Sequence, residues 1–137
     1  MQSRLFILIL FVSLLIRLPV LAEEDALESV RQLSNEIYRL SEEMVTHGSE
    51  GHAHEIVSNG QEMIQRTEAL IKAVESSPAP AVKEKKKALL ASLKATLKQA
   101  KEAVRLGEQE KTAPALDAAR KASFRAKQVR QQVQSIQ

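Results

Sequence analysis

The sequence predicts an all-α protein: an antiparallel up-down-up-down four-helix bundle made of two helical hairpins, behind an N-terminal signal segment. Three observations predict it. Apolar residues recur at spacings of three and four through four successive stretches, as a helix with one buried face requires. Glycine or proline punctuates the joins between those stretches. Finally, only 3% of the 137 residues are aromatic and four are glycine, too few for the many short strands and turns of a β-sandwich.

The chain opens with targeting features. Arg4 supplies positive charge, Leu5 to Ile16 is a nearly unbroken apolar run over twelve positions, interrupted only by Ser13, and Val20-Leu21-Ala22 presents small side chains before Glu23. A run that ends at Arg17 and Pro19 falls short of the roughly 20 apolar residues that span a bilayer. Residues 1–22 are therefore expected to be a cleaved signal peptide, and residues 23–137 an exported domain, periplasmic or secreted. No cysteine follows the cleavage site, so no lipid anchor is expected there.

The first bundle helix is predicted from about Asp25 to His47, with Leu27, Val30, Leu33, Ile37, Leu40 and Met44 on one stripe. Gly48-Ser49-Glu50-Gly51 is expected to break it, since glycine is the common residue just past a helix end. Ile56, Val57, Met63, Ile64, Leu70, Ile71 and Val74 mark a second helix, which Ser76-Ser77-Pro78-Ala79-Pro80 terminates. A third carries Val82, Leu89, Leu90, Leu93, Leu97, Ala100 and Val104 and should stop at Gly107. Thr112 is the expected cap of the fourth, with Pro114 in its first turn and a weaker edge of Leu116, Ala119, Ala126, Val129, Val133 and Ile136.

Setting Gly48 on Gly107 superimposes the hairpins 23–77 and 78–137 at an offset of 59, which also aligns Val45 with Val104, Glu43 with Glu102 and Arg66 with Arg125. This suggests an internal duplication. The two halves carry opposite charge. Residues 23–77 hold twelve acidic and four basic side chains, a balance of −8, whereas 78–137 hold five acidic and fourteen basic, a balance of +9. Either the halves attract each other or each attracts a different partner, with exposed pairs weakened by salt.

The chemistry clusters at the first break. All three histidines lie in His47-Gly48-Ser49-Glu50-Gly51-His52-Ala53-His54. Imidazole is the commonest metal-binding side chain, and without cysteine the remaining donors are carboxylate and thioether. A tight turn would bring His47 and His52 together at the rim of the bundle, each roughly 65° from the centre of its own apolar stripe. His54 points away from the core and is the weaker candidate. Glu50 or Glu55 could add oxygen, and Met44, three residues before His47, is a possible helper. Methionine with histidine suits copper, while histidine with carboxylate suits cupric, nickel or zinc ions equally. The bland alternative is that the histidines only meet helix-terminal carbonyls and that Met44 packs in the core.

The stretch from Glu43 through Ala73 resembles the small metal-binding protein (SmbP) family, exported four-helix bundles with histidines at heptad spacing around an H-G-x-x-G-H turn. His47, Gly48, Gly51 and His52 match that turn. The resemblance implies binding of divalent metals, copper above all, for sequestration or delivery. Asn59, Arg66 and Leu40 stand where the family places further histidines, and the second hairpin reads Leu106-Gly107-Glu108-Gln109-Glu110-Lys111 at its turn. A single, reduced site is therefore the expectation.

A second function class is a helical interaction protein without metal. Lys83, Lys85, Lys86 and Lys87 open the basic hairpin, which could meet an acidic protein or an anionic membrane surface. Nucleic acid is not an expected partner, since the exported chain would be nearly neutral and offers only Tyr38 and Phe124 for stacking; both are assigned to packing. A monomer is expected. No enzyme is predicted: there is no phosphate loop and no nucleophile elbow, and His54-Glu55 fails the zinc-protease motif because Ser58 stands where its second histidine belongs.

Overall fold

The computed structural model describes the backbone of residues 2–137 and the side chains from residue 20 onward. Four helices follow in order: α1 (Gln2–Ser49), α2 (Ala53–Ser76), α3 (Pro80–Glu108) and α4 (Thr112–Gln134). Each packs along its sequence neighbours and α4 closes back onto α1, while α2 meets α4 only slightly across the diagonal. The result is the antiparallel four-helix bundle, with no strand among the described residues. Both hairpin turns lie at one end of it. The Pro-containing linker lies at the other.

α1 contains the expected helix and continues upstream of it. Residues 1–19, which carry most of the proposed signal segment, lie outside the described side chains. No helix among the described residues is long and apolar enough to cross a membrane.

The stripes read from the sequence form the core. Val30, Ile37, Leu40 and Met44 of α1 meet Ile56, Met63, Leu70 and Val74 of α2, Val82, Leu89 and Leu93 of α3, and Val129 and Val133 of α4, all essentially without solvent contact. Between them sit small residues, Ala115, Ala118, Ala119, Ala122 and Ala126 on α4 above all, which let that helix approach closely. Four buried hydroxyls avoid an unmet hydrogen bond by donating to their own helix backbone: Ser34 to Arg31, Ser41 to Tyr38, Thr67 to Met63 and Thr96 to Ser92.

The turns differ from expectation in instructive ways. Gly48 and Gly107 do not terminate their helices; both lie buried in the last turn. Their role is steric. A Cβ on Gly48 would come within 2.8 Å of Ile56 in its own hairpin and 3.0 Å of Leu116, and one on Gly107 within 2.7 Å of Val57. Val57 and Leu116 are themselves equivalent at the 59-residue offset, so each hairpin's glycine receives the other hairpin's side chain. The left-handed residues that reverse the chain are Gly51, at φ 87°, and Glu110, at φ 56°. Thr112 is not the cap of α4. Lys111 occupies that position, its carbonyl accepting from the Ala115 N–H at 2.9 Å, which places Thr112 inside the first turn.

The 59-residue repeat extends to the hydrogen bonds. His52 N–H donates to the His47 carbonyl at 3.0 Å, as Lys111 N–H does to Leu106 at 3.0 Å. Gly51 bonds back to Gly48 at 3.2 Å and Glu110 to Gly107 at 2.9 Å. Buried Ile56, Gly60, Met63, Thr67, Leu70 and Val74 of α2 correspond one for one with Ala115, Ala119, Ala122, Ala126, Val129 and Val133 of α4.

Candidate metal centre

His47 stands in the last turn of α1 and His52 at the N-terminal cap of α2. The left-handed backbone at Gly51 folds the intervening residues into a reverse turn, and the bond from His52 N–H to the His47 carbonyl closes it. As a result the two imidazoles lie roughly parallel, their centroids 6.2 Å apart and their planes inclined by 29°.

Glu50 projects between them. Its Oε2 atom is 3.3 Å from His47 Nδ1 and 3.5 Å from His52 Nδ1. One donor atom from each of His47, Glu50 and His52 can be chosen so that all lie within 4.8 Å of one another. Around a tetrahedral ion with bonds of about 2.0–2.1 Å, donor atoms sit about 3.3 Å apart. The two histidine–carboxylate separations already match that spacing. The imidazole nitrogens, no more than 4.8 Å apart, would close to the same spacing around an ion, and both side chains are partly exposed, at 39% and 53%. The exposed side of the cluster leaves room for water to complete a coordination shell.

The other sequence candidates stand apart. His54 is 81% exposed and its Nε2 pairs with its neighbour Glu55 at 3.2 Å, while its ring lies 6.3 Å from that of His52. Met44 is fully buried, and its thioether end lies where it would meet a side chain on Gly60, well inside the bundle. The structure therefore gives Met44 the packing role and leaves the turn with nitrogen and oxygen donors alone.

Two further carboxylates at this end were not singled out from the sequence. Glu108 and Glu110 of the second turn line an open cleft of about 530 Å³ together with Gly51, His52, His54 and Val57. The signal that could have found them is the repeat itself, because a 59-residue offset in a four-helix bundle returns the second turn to the same end as the first.

The charge asymmetry is only slightly used within the fold. Arg39–Glu43, Arg66–Glu36, Arg66–Glu62, Arg105–Glu102 and Lys121–Asp117 are pairs inside one hairpin. Among the described residues only Lys101–Glu68, at 3.2 Å, joins the acidic hairpin to the basic one as an ion pair. Lys85 and Lys86 instead bond Ser135 and the Glu75 carbonyl. Tyr38 packs as expected, with the Arg130 guanidinium 4.0 Å from its ring centre, but Phe124 is exposed.

A scan of protein-family models and searches of curated proteins and of solved structures each find no match to this chain.

Proposed function

We propose that this is an exported metal-binding protein that sequesters or carries one divalent ion at its first turn, held by His47, Glu50 and His52. The observation that carries the reading is the shared carboxylate: one Glu50 oxygen lies 3.3 and 3.5 Å from imidazole nitrogens that two different helices supply. Such a donor set suits cupric, nickel and zinc ions, and with the Met44 sulfur committed to the core nothing favours the cuprous ion. Copper stands first by the Irving–Williams order. The N-terminal apolar run supports export.

Isothermal titration of the full chain with Cu²⁺, Ni²⁺ and Zn²⁺ tests this. The expected result is one ion per chain, lost in His47→Ala/His52→Ala and weakened about tenfold or more in Glu50→Gln. Because all three side chains are on the surface, the variants keep the wild-type helical circular dichroism. Equal binding by the double variant, or no heat above buffer for the wild type, would remove the reading.

A further inference from the structure

We propose that the outward side of α3 and α4 docks on an anionic lipid bilayer, with Phe124 as the side chain that enters the membrane interface. Phe124 is 61% exposed; among the described residues the other exposed large apolar side chains are Val20 and Leu21, far from it in sequence beside the N-terminal run. A core could have been built without it, since α4 already buries seven residues on its opposite side. Burial follows a clear angular pattern at about 100° per residue, and Phe124 falls almost diametrically opposite the centre of the α4 core stripe. It is therefore aimed at solvent. Around it lies a shallow depression of about 410 Å³ lined by Gln99, Arg120, Lys121 and Arg125, with the Arg125 guanidinium carbon 5.9 Å from the ring centre.

Further cations lie along the outward sides of the two helices. Lys87, Lys94 and Lys98 on α3 and Arg120, Arg125 and Lys127 on α4 are all exposed, and among the described residues none of the six has a salt-bridge partner. Among the described residues Glu84 on α3 and Glu42, which accepts from the Ser123 hydroxyl beside Phe124, have no salt-bridge partner, whereas two other acids near these cations are paired. Asp117 pairs with Lys121 at 2.6 Å, and Arg105 donates twice to Glu102, at 2.6 and 2.9 Å, which holds that carboxyl below its ordinary range. The surplus positive charge of this hairpin is thus left facing outward.

The composition decides between occupants. Protein interfaces centre on several desolvated apolar or aromatic side chains and are depleted in lysine. Here a single apolar anchor stands in a lysine and arginine field, and Lys87 to Lys98 alone spans roughly 16 Å of helix. An extended anionic plane satisfies such a field along its whole length. Each cation near an anionic leaflet contributes about fivefold to partitioning, and an interfacial aromatic adds depth.

Co-sedimentation of the full chain with phosphatidylglycerol-containing and with pure phosphatidylcholine vesicles tests the proposal, because the N-terminal apolar run is common to every sample. Binding should be at least tenfold stronger to the anionic vesicles and should fall to the phosphatidylcholine level in 0.5 M NaCl. Phe124→Ala should weaken it about tenfold, and Lys98→Gln/Arg120→Gln by roughly 30-fold; these exposed positions leave the melting temperature unchanged. Equal binding to both vesicle types, or variants that bind like the wild type, would overturn it. Displacement by soluble polyglutamate with no contribution from Phe124 would overturn it too, in favour of an acidic polypeptide.

Discussion

The two hairpin turns share one backbone and differ in almost every side chain that could do chemistry. Residues 47–52 and 106–111 close with the same 3.0 Å bond, reverse at the same left-handed position and place a glycine at the same buried site. Yet where the first turn has His47, Glu50 and His52, the second has Leu106, Gln109 and Lys111. The comparison separates two demands on a turn. Closing the bundle requires a small residue in the last helical turn and a residue that tolerates positive φ. Gathering donors requires three particular side chains that the closure itself does not constrain.

If that separation holds, the chemistry is transferable. Leu106→His/Gln109→Glu/Lys111→His writes the first turn's donors onto the second. The expected outcome is the largest among the variants that follow: titration should pass from one ion per chain to two, the second of comparable affinity, because the same backbone would deliver the same donors. Stoichiometry that stays at one would show that the second turn lacks some further feature of the first.

Below the turns the halves differ in how they fill space. Met63 of α2 and Ala122 of α4 hold equivalent fully buried positions at the 59-residue offset, as do Ile56 and Ala115. At these positions α2 supplies volume and α4 supplies close approach. Met63→Ala should destabilise the fold by about 2–5 kcal/mol through lost contacts and a residual cavity. The reciprocal Ala122→Met should cost about 1–3 kcal/mol by overpacking. Chemical denaturation with a shared m-value measures both, and combining them tests whether volume removed on one side accommodates volume added on the other.

The same asymmetry decides how much of the fold is legible in the sequence. Large apolar residues at spacings of three and four fixed α1, α2 and α3 because leucine, isoleucine and methionine declare a buried face. Ala115, Ala118 and Ala122 were missing from the α4 stripe because alanine favours a helix in any environment and its spacing alone does not say which side is buried. The glycines at 48 and 107 read as helix stops, a local rule, whereas their need is tertiary: a neighbour from another helix occupies the space of a side chain. His47 and His52 were legible as a pair from clustering. The central place of Glu50 was not, since it depends on the φ of Gly51 that turns the carboxylate between the rings. Phe124 failed for the opposite reason, an aromatic residue assigned to packing that the fold leaves in water.

The finest difference between the turns is a single backbone angle. Gly51 takes φ 87° without penalty, while Glu110 holds φ 56° with a Cβ crowding the following carbonyl. Such a conformation costs a side-chain-bearing residue about 1–2 kcal/mol, and glycine gives part of that back through the greater freedom of its unfolded chain. Glu110→Gly should therefore stabilise by up to about 1 kcal/mol, raising the melting temperature by roughly 3–5 °C for a domain of this size. Gly51→Ala should lower it by a similar amount. The pair discriminates backbone from chemistry, because Glu110 also lines the cleft beside His52 and His54. A rise in melting temperature with metal titration at the first turn unchanged would assign Glu110 to closure alone. Weakened metal binding in Glu110→Gly would instead make the second turn a contributor to the first turn's site, and the two would no longer be independent copies.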